Sequence, residues 1–187
     1  MDTNKYVKRV LVTEEQIKAR CEELGKQIDK DYAGKTPILL SLLRGSVPFC
    51  SELAKHISIE IEFDYMRASS YHGGTVSCGN VAVSVMPQSQ LTGRHILIVE
   101  DIIDTGTTLD TVVKILQEQN PASIEIVTLL DKPDRRLVEI KPKYVAFTIP
   151  NEFVFGFGLD VAELYRQLPY VAVFNTDYLD EVTKKNK

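Results

Sequence analysis

A strand, a helix and a second strand follow one another between residues 95 and 130, and this succession constrains the fold more than any other feature of the sequence. Residues 95–99 and 124–130 are short apolar runs of the kind that form buried strands. Between them, apolar residues recur at the spacing of one helix face, at Leu109, Val112, Val113 and Leu116. Such a βαβ unit joins two parallel strands by a right-handed crossover. The sequence therefore predicts an α/β fold, with helices on both faces of a twisted, mainly parallel sheet.

Other segments predict further elements of the same two kinds. Residues 13–16 have the form of a capping box, so we expect the first helix to begin at Thr13. Residues 37–43 are apolar and bounded by breakers, which predicts a buried strand, and Ser46 is expected to cap a second helix. Apolar and acidic residues alternate over residues 59–65, which predicts a half-exposed strand. Its apolar face carries Ile59, Ile61, Phe63 and Tyr65.

The remaining predicted strands lie on either side of a polar loop and near the end of the chain. The alternation recurs at Val81, Val83 and Val85, and residues 144–149 and 170–174 predict strands within the sheet or at its edge. Residues 68–79 are small, polar and glycine-containing. We expect them to form a long mobile loop, either disordered or a lid over a binding site.

Length and composition indicate one domain without a membrane or nucleic-acid partner. The chain has 187 residues, 44% hydrophobic and 26% charged, which suffices for one core. Its apolar runs fall short of the ~20 residues of a membrane helix, and residues 1–10 lack the apolar segment of a signal peptide. A net charge of −4 argues against nucleic-acid binding. Three widely spaced cysteines favour reduced thiols, so we expect a cytoplasmic protein.

The carboxyl end of the strand predicted at residues 95–99 carries two adjoining groups of polar residues. Ligands of open α/β sheets bind at such strand ends. Residues 105–108 offer hydroxyls, a glycine and the N–H groups of a helix N-terminus, which suits a phosphate group. Glu100, Asp101 and Asp104 would repel a bare polyphosphate. A carboxylate pair, however, accepts hydrogen bonds from vicinal hydroxyls or helps to bind Mg²⁺.

A ribose 5-phosphate unit meets both requirements, because it has a phosphate at one end and a diol at the other. The alternative is a capped helix preceded by a solvated acidic turn. The segment is not a Walker A loop, because no Gly-Lys-Thr follows its glycine.

Five segments resemble one enzyme family, in the same order along the chain. Residues 99–108, Val-Glu-Asp-Ile-Ile-Asp-Thr-Gly-Thr-Thr, resemble the phosphoribosyl-pyrophosphate (PRPP) signature of type I phosphoribosyltransferases. Their Glu-Asp-Ile-Ile-Asp-Thr-Gly form resembles the hypoxanthine-guanine phosphoribosyltransferases in particular. The other matching segments are residues 42–45, 69–71, 130–132, and 153–156 extended through Asp160 and Arg166. The resemblance covers the chain from about Val10 to Phe174.

The resemblance implies a type I phosphoribosyltransferase fold in a single domain over residues 1–187, with a core at about 13–150. Residues 1–12 and 151–175 would form a small hood. The implied enzyme of purine salvage uses Mg²⁺ to transfer the 5-phosphoribosyl group from PRPP to hypoxanthine or guanine, giving IMP or GMP and diphosphate. A homodimer or homotetramer is implied as well. The alternatives are a xanthine-preferring enzyme and, less favoured by this acidic chain, a PRPP-sensing regulator that binds nucleic acid.

Matched residue by residue, the resemblance implies a set of contacts to the sugar and its phosphates. The residues implied around ribose and the 5-phosphate are Glu100, Asp101, Thr105, Gly106, Thr107 and Thr108. Glu100 and Asp101 would also surround Mg²⁺, and Asp160 matches a position near a second Mg²⁺ and the base pocket. The diphosphate is expected on the loop that contains Arg44 and Gly45, and on Arg166. Ser70 and Tyr71 resemble the tip of the mobile lid.

The base is implied to lie among four further positions. Asp104 matches the acidic residue near purine N7, where a carboxylate can take or share the proton as the N-glycosidic bond forms. Lys132 matches the lysine that contacts the purine 6-oxygen. Because an ammonium group donates only, it cannot pair with the 6-amino group of adenine. Phe153 matches the ring that stacks on the purine, and the Val154 backbone would meet its exocyclic edge.

Overall fold

The computed structural model describes residues 4–70 and 81–185. The strands are β1 (Val7–Val12), β2 (Ile38–Leu42), β3 (Glu62–Ser70), β4 (Val81–Val85), β5 (His95–Ile103), β6 (Ser123–Asp131), β7 (Tyr144–Thr148), β8 (Val154–Phe155) and β9 (Val171–Phe174). The α-helices are α1 (Glu14–Asp31), α2 (Val47–Ala54), α3 (Thr107–Gln117) and α4 (Leu179–Lys185), with 3₁₀ turns at Asn4–Tyr6, Pro133–Arg135 and Thr176–Tyr178. Within these two ranges, none of the helices combines the length and the apolar character that a bilayer crossing requires.

The central sheet has the strand order β4-β3-β2-β5-β6-β7. Its neighbouring strands are parallel except for β3 and β4. The predicted βαβ unit is confirmed as β5-α3-β6, in which Val99 pairs with Val127. Buried residues of α1 and α2 belong to one apolar cluster against the sheet, and those of α3 belong to another. The fold is therefore mixed α/β, with a mostly parallel sheet and flanking helices, as the sequence predicts.

The course of the chain across this sheet changes direction between β2 and β5. From β2 the chain continues to β3 on one side, whereas β5 leads to β6 on the other side. Loops that leave neighbouring strands in opposite directions open a crevice beyond the carboxyl ends of those strands. The residues after Leu42 and residues 100–108 therefore border the same opening.

A separate antiparallel sheet has the order β1-β9-β8. Aromatic side chains pack beneath it, and the rings of Phe155 and Phe174 meet edge to face at 5.3 Å. β7 extends the central sheet as predicted. The expectation that residues 170–174 lie in the central sheet or at its edge is wrong, because β9 pairs with β1 and β8 instead. All four residues of β9 are buried by this packing.

Two details at α1 and α2 depend on short polar side chains. The Thr13 hydroxyl accepts a hydrogen bond from the Gln16 N–H, and the Gln16 side chain accepts one from the Thr13 N–H, so the predicted capping box is confirmed. Ser46 does not cap α2 with its side chain. Its hydroxyl instead donates to the Leu42 carbonyl oxygen at 2.5 Å and lies 2.7 Å from the hydroxyl oxygen of Ser41. Ser46 therefore stabilises the turn after β2 rather than the helix.

The side chains of β3 that face the core are not the ones that the sequence predicts. Asp64 is only 7% exposed, whereas Phe63 and Tyr65 are 45% and 43% exposed. The buried carboxylate of Asp64 accepts hydrogen bonds from the N–H groups of Gln88 and Ser89, at 2.9 and 2.7 Å. These donors compensate the burial of the carboxylate, so Asp64 can face inward and turn its apolar neighbours outward.

Two boundaries of β3 also differ from the sequence prediction. Ile59 and Ile61 precede the strand and pack half-buried against the cluster of α1 and α2. Ala68 pairs with Val83 as part of β3. The predicted loop therefore cannot begin at Ala68, and its residues 71–79 lie outside the described part of the chain.

Candidate active site

A cleft opens at the switch point between β2 and β5. It has a volume of about 220 Å³ and is bordered by the loop after β2 and the end of β5. The lining residues are Leu42, Leu43, Arg44, Gly45, Ala68, Glu100, Asp101, Ile102 and Thr108. The structure thus brings residues of the expected diphosphate loop and of the expected ribose site into one cleft.

Glu100 and Asp101 place two carboxyl groups in this cleft. The Asp101 N–H donates to Glu100 Oε1 at 3.2 Å, and the Ile102 N–H donates to Asp101 Oδ1 at 2.8 Å. Burial raises the pKa of Glu100 well above its ordinary value, and the charge of Asp101 raises it further. Burial also raises the pKa of Asp101, while the positive charge of Arg166 opposes that rise. A cation or hydroxyl donors between the two carboxylates would relieve this unfavourable burial of like charge.

The pair suits a magnesium ion that also binds substrate oxygens. Within residues 4–70 and 81–185, no cluster of three or more His, Cys, Asp or Glu side chains could enclose a metal ion by itself. Mg²⁺ is commonly held by one or two carboxylates, water and the phosphates of a substrate. Two half-buried carboxylates of raised pKa beside an open cleft therefore fit Mg²⁺ in this shared form.

Gly45 brings the loop after β2 against this pair. A Cβ atom placed on Gly45 would lie 1.6 Å from Asp101 Oδ2, so no side chain fits there without displacement. The peptide bond between Leu43 and Arg44, just before Gly45, is cis. The backbone of the loop at Gly45 therefore lies directly against the carboxylate of Asp101.

The turn before α3 presents hydroxyls and backbone N–H groups. Gly106 is the N-cap residue of α3 and has a φ of +82°, a conformation that glycine adopts without steric cost. The hydroxyl oxygens of Thr105 and Thr107 lie 3.0 Å apart. The first N–H groups of a helix have no partner within the helix, and the helix dipole there favours an anion. Residues 105–108 are thus arranged to receive a phosphate group.

Asp104 lies beside two arginines that the sequence analysis did not single out. Arg135 Nε donates to Asp104 Oδ1 at 2.9 Å, and Arg136 Nη1 donates to the Asp104 backbone oxygen at 3.2 Å. Arg136 also forms an ion pair with Asp131 at the end of β6. Two arginines shortly after the segment that contains Lys132, at the carboxyl end of a predicted strand, are the signal that could have identified them.

Lys132 is buried at the carboxyl end of β6. Only 7% of the residue is exposed, and its ammonium group donates to the Glu152 carbonyl oxygen at 2.8 Å. Burial lowers the pKa of Lys132, while the negative charge of the nearby Asp104 opposes that change. Asp104 and Lys132 are therefore electrostatic neighbours, as expected for two groups that contact one base.

Phe153 and Val154 follow Glu152 directly. Phe153 is 45% exposed, and its ring packs edge to face with the ring of Phe174, with 5.6 Å between the ring centroids. Val154 is buried in β8. The ring of Phe153 is thus supported by a residue of the second sheet and remains exposed enough for stacking.

The residues 158–166 gather charged groups near Arg44. Arg166 Nη2 contacts Asp160 Oδ1 at 2.7 Å and Glu163 Oε2 at 3.2 Å. Glu163 also pairs with Arg44, and the second oxygen of Asp160 accepts the Glu163 N–H at 2.8 Å. Glu163 was not expected in the site. Its only sequence signal is its position between Asp160 and Arg166.

The lid residues are placed only in part. Ser70 is the last residue of β3, where it pairs with Val81. Tyr71 lies outside the described residues. The role of both residues stays a prediction from the resemblance.

Comparisons with known proteins agree with this arrangement. A family model described as phosphoribosyl transferase domain matches residues 11–162. A hypoxanthine-guanine phosphoribosyltransferase of Streptococcus pneumoniae (strain ATCC BAA-255 / R6) is 52% identical over 171 residues, which are 91% of this chain and 95% of that protein. One from Lactococcus lactis subsp. lactis is 54% identical over 174 residues, covering 93% and 94% of the two chains.

Solved structures give the same result. The crystal structure of a hypoxanthine phosphoribosyltransferase from Staphylococcus aureus has a TM-score of 0.90 at 46% identity, covering 95% of this chain and 96% of that chain. The Trypanosoma cruzi hypoxanthine phosphoribosyltransferase in complex with the product IMP has a TM-score of 0.86 at 34% identity, covering 92% and 97%. The resemblance stated from five sequence segments is confirmed, and the chain belongs to the phosphoribosyltransferase family, among its hypoxanthine-guanine phosphoribosyltransferases.

Proposed function

We propose that the chain catalyses the Mg²⁺-dependent transfer of the 5-phosphoribosyl group from PRPP to hypoxanthine or guanine in purine salvage. The products are IMP or GMP and diphosphate. The observation that carries the proposal is the cleft at the switch point, where a carboxylate pair, a helix N-terminus and a backbone loop converge. Such a cleft suits a ligand with a diol, a monophosphate and a diphosphate. The buried ammonium group of Lys132, at the end of the next strand, suits an oxo group.

The sugar end of PRPP binds along residues 100–108. The 5-phosphate accepts hydrogen bonds from the hydroxyls and N–H groups of Thr105, Gly106, Thr107 and Thr108. The two ribose hydroxyls donate to the carboxylates of Glu100 and Asp101. Both ends of the sugar are then fixed, and its anomeric carbon is oriented toward the base.

The base lies between Lys132, Asp104 and the ring of Phe153. The Lys132 ammonium donates to the 6-oxygen, which excludes adenine because a 6-amino group would leave two donors facing one another. The carboxylate of Asp104 receives or shares the N7 proton as the N-glycosidic bond forms. The Val154 backbone meets the exocyclic edge of the base.

Mg²⁺ would be held by Glu100 and Asp101 together with substrate oxygens, and near Asp160 at a second position. Its chemistry is to offset the negative charge of the departing diphosphate. Both carboxylate oxygens of Asp160 already accept protein donors, so a metal contact there requires one of these hydrogen bonds to open.

The diphosphate is received by the loop of Arg44 and Gly45 and by the guanidinium of Arg166, whose planar fork suits phosphate oxygens. Ser70 and Tyr71 close over the reacting centre and exclude water from the activated sugar. The second sheet, with residues 1–12 and 151–175, acts as a hood over the base, while residues 13–150 form the core of the same single domain.

A competition assay tests the substrate class. Purified protein with PRPP and Mg²⁺ is offered hypoxanthine, guanine, xanthine and adenine, and nucleotide formation is followed spectrophotometrically. We expect turnover of hypoxanthine and guanine and none of adenine. Preferential use of xanthine would replace this proposal by the xanthine-preferring alternative, and absence of all turnover would favour a PRPP-binding regulator.

A substitution tests the proton role. Asp104→Asn should lower kcat by about 10²-fold or more, while binding of the base persists. Asp180→Asn, on the exposed surface of α4, is the matched control and should leave kcat unchanged. An unchanged kcat in Asp104→Asn would remove the assignment.

Self-association and location complete the proposal. We expect a homodimer or homotetramer that works in the cytoplasm. Exposed apolar side chains support self-association. They are Phe63 and Tyr65 on β3, Val85 at the end of β4 and Met86 directly after it, each at least 40% exposed. Light scattering of the purified protein measures the assembly. A monomer at micromolar concentration would contradict this expectation.

A further inference from the structure

We propose that Arg135 is a positioning residue for the reaction, because it holds the carboxylate of Asp104 in the orientation that receives the N7 proton. The inference rests on the proposed function, which assigns the proton to Asp104. It adds a residue outside the five segments that carry the family resemblance. The partner class is unchanged: Arg135 acts on a 6-oxopurine only through Asp104.

The contact between the two side chains has good hydrogen-bonding geometry. Arg135 Nε lies 2.9 Å from Asp104 Oδ1, and the two side chains are 47% and 41% exposed. A guanidinium group donates and never accepts, so Oδ1 is fixed as the acceptor. The contact engages one oxygen of the carboxylate and leaves Oδ2 for the purine proton. Asp104 is thereby restrained without losing its capacity as a base.

The backbone of Asp104 is held separately by the next residue. Arg136 donates to the Asp104 carbonyl oxygen, and its ion pair with Asp131 is nearly buried, at 14% and 13% side-chain exposure. The Leu137 N–H donates to the Thr105 carbonyl oxygen at 2.9 Å. The main chain of the turn after β5 is therefore anchored without Arg135, which leaves Arg135 to act on the Asp104 side chain alone.

Arg135 lies close in sequence to Lys132, the residue proposed to contact the base. Lys132 is the N-cap residue of the 3₁₀ turn Pro133–Arg135, so both cations belong to one short segment. Lys132 faces the proposed 6-oxygen, and Arg135 holds the carboxylate proposed at N7. These two atoms lie on the same edge of a 6-oxopurine. One segment therefore sets the spacing of both groups that contact this edge.

A double-mutant cycle with Asp104→Asn tests the proposal. With Asp104 present, Arg135→Ala should lower kcat by about tenfold, the order expected for one charge-assisted hydrogen bond at a half-exposed site. KM for PRPP should change by less than about twofold, because the phosphate turn is anchored by Arg136. In the Asp104→Asn background, the same substitution should have no further effect on kcat, since Arg135 then has no ionised carboxylate to hold.

The matched control is Arg94→Ala, which removes another half-exposed arginine that pairs with a carboxylate, Glu62, at 2.7 Å. It should leave kcat and KM unchanged. Equal losses of kcat from Arg135→Ala in both backgrounds would show a merely structural role and overturn the proposal. An unchanged or raised kcat with Asp104 present would overturn it as well. If Asp104→Asn itself has no effect, the proton assignment fails and the role of Arg135 fails with it.

Discussion

Substitution of Gly45 by alanine should remove activity without unfolding the protein. A Cβ atom at this position would lie 1.6 Å from Asp101 Oδ2 and 2.6 Å from Asp101 Cγ, far inside ordinary contact. Relief requires a displacement of about 2 Å. The backbone at Gly45 is not in the left-handed region, so alanine itself is compatible with the local conformation.

The group that moves is the carboxylate of Asp101, because it is the free end of a flexible side chain. A displacement of about 1 Å at a reacting centre can cost about 10²-fold in rate, so kcat/KM for PRPP should fall by at least about 10²-fold. The melting temperature should stay within about 2 °C of the wild type, because no core packing is lost. Steady-state kinetics and thermal unfolding of the same preparation measure both quantities.

Gly93→Ala is the control, because it should lower stability and leave activity unchanged. Gly93 has a φ of +73° and no heavy atom within 4 Å of an added Cβ, so alanine there is strained but meets no group. Its free energy of unfolding should fall by about 1 kcal/mol, lowering the melting temperature by about 2–4 °C, with kcat/KM unchanged. If Gly45→Ala keeps kcat/KM within about twofold of the wild type, the reasoning about Asp101 is refuted.

Three further predictions concern charged groups at buried or half-buried positions. Burial alone would raise the pKa of Asp64, but hydrogen bonds from Ser89, Tyr65 and Gln88 lower it overall. Asp64→Ala removes the acceptor of these hydrogen bonds, so it should lower the free energy of unfolding by about 2–3 kcal/mol, measured by urea unfolding at pH 7. The difference in unfolding free energy between the wild type and Asp64→Ala should shrink as the pH falls below 3.8, the ordinary pKa of aspartate. A difference that does not change with pH would contradict this prediction. Because burial raises the pKa of Glu100, Mg²⁺ affinity should rise with pH above 4.5, with proton release in calorimetry. Glu100→Gln should reduce this release, and an unchanged release would speak against Glu100 as a ligand. Lys132→Ala should weaken IMP binding about 10²-fold in a direct titration, and equal affinity would exclude the 6-oxo contact.

The sequence predicts the parts of the fold that depend on local pattern. The apolar runs around α3 predict the parallel pair β5 and β6, and the capping box at Thr13 predicts the start of α1. The acidic and hydroxyl residues after β5 predict the position of the cleft, because the carboxyl end of a parallel strand is a fixed place in such a sheet.

The features that the sequence did not predict depend on distant partners. Asp64 faces inward only because residues 88 and 89 supply N–H donors to it. β9 joins a separate sheet because β1, near the start of the chain, pairs with it on one side and β8 pairs with it on the other. Arg135 and Glu163 act through ion pairs with groups 31 and 119 residues away, which periodicity cannot show.

Glu163 pairs with both Arg44 and Arg166, so it competes for these arginines with any anion that enters the cleft. Neither guanidinium is a bare cation, because each already contacts this carboxylate. An incoming anion must therefore displace an internal competitor before it gains the arginines. Orthophosphate and other small cellular anions offer little to compensate that exchange, whereas a ligand anchored elsewhere by its sugar delivers its leaving group at high effective concentration.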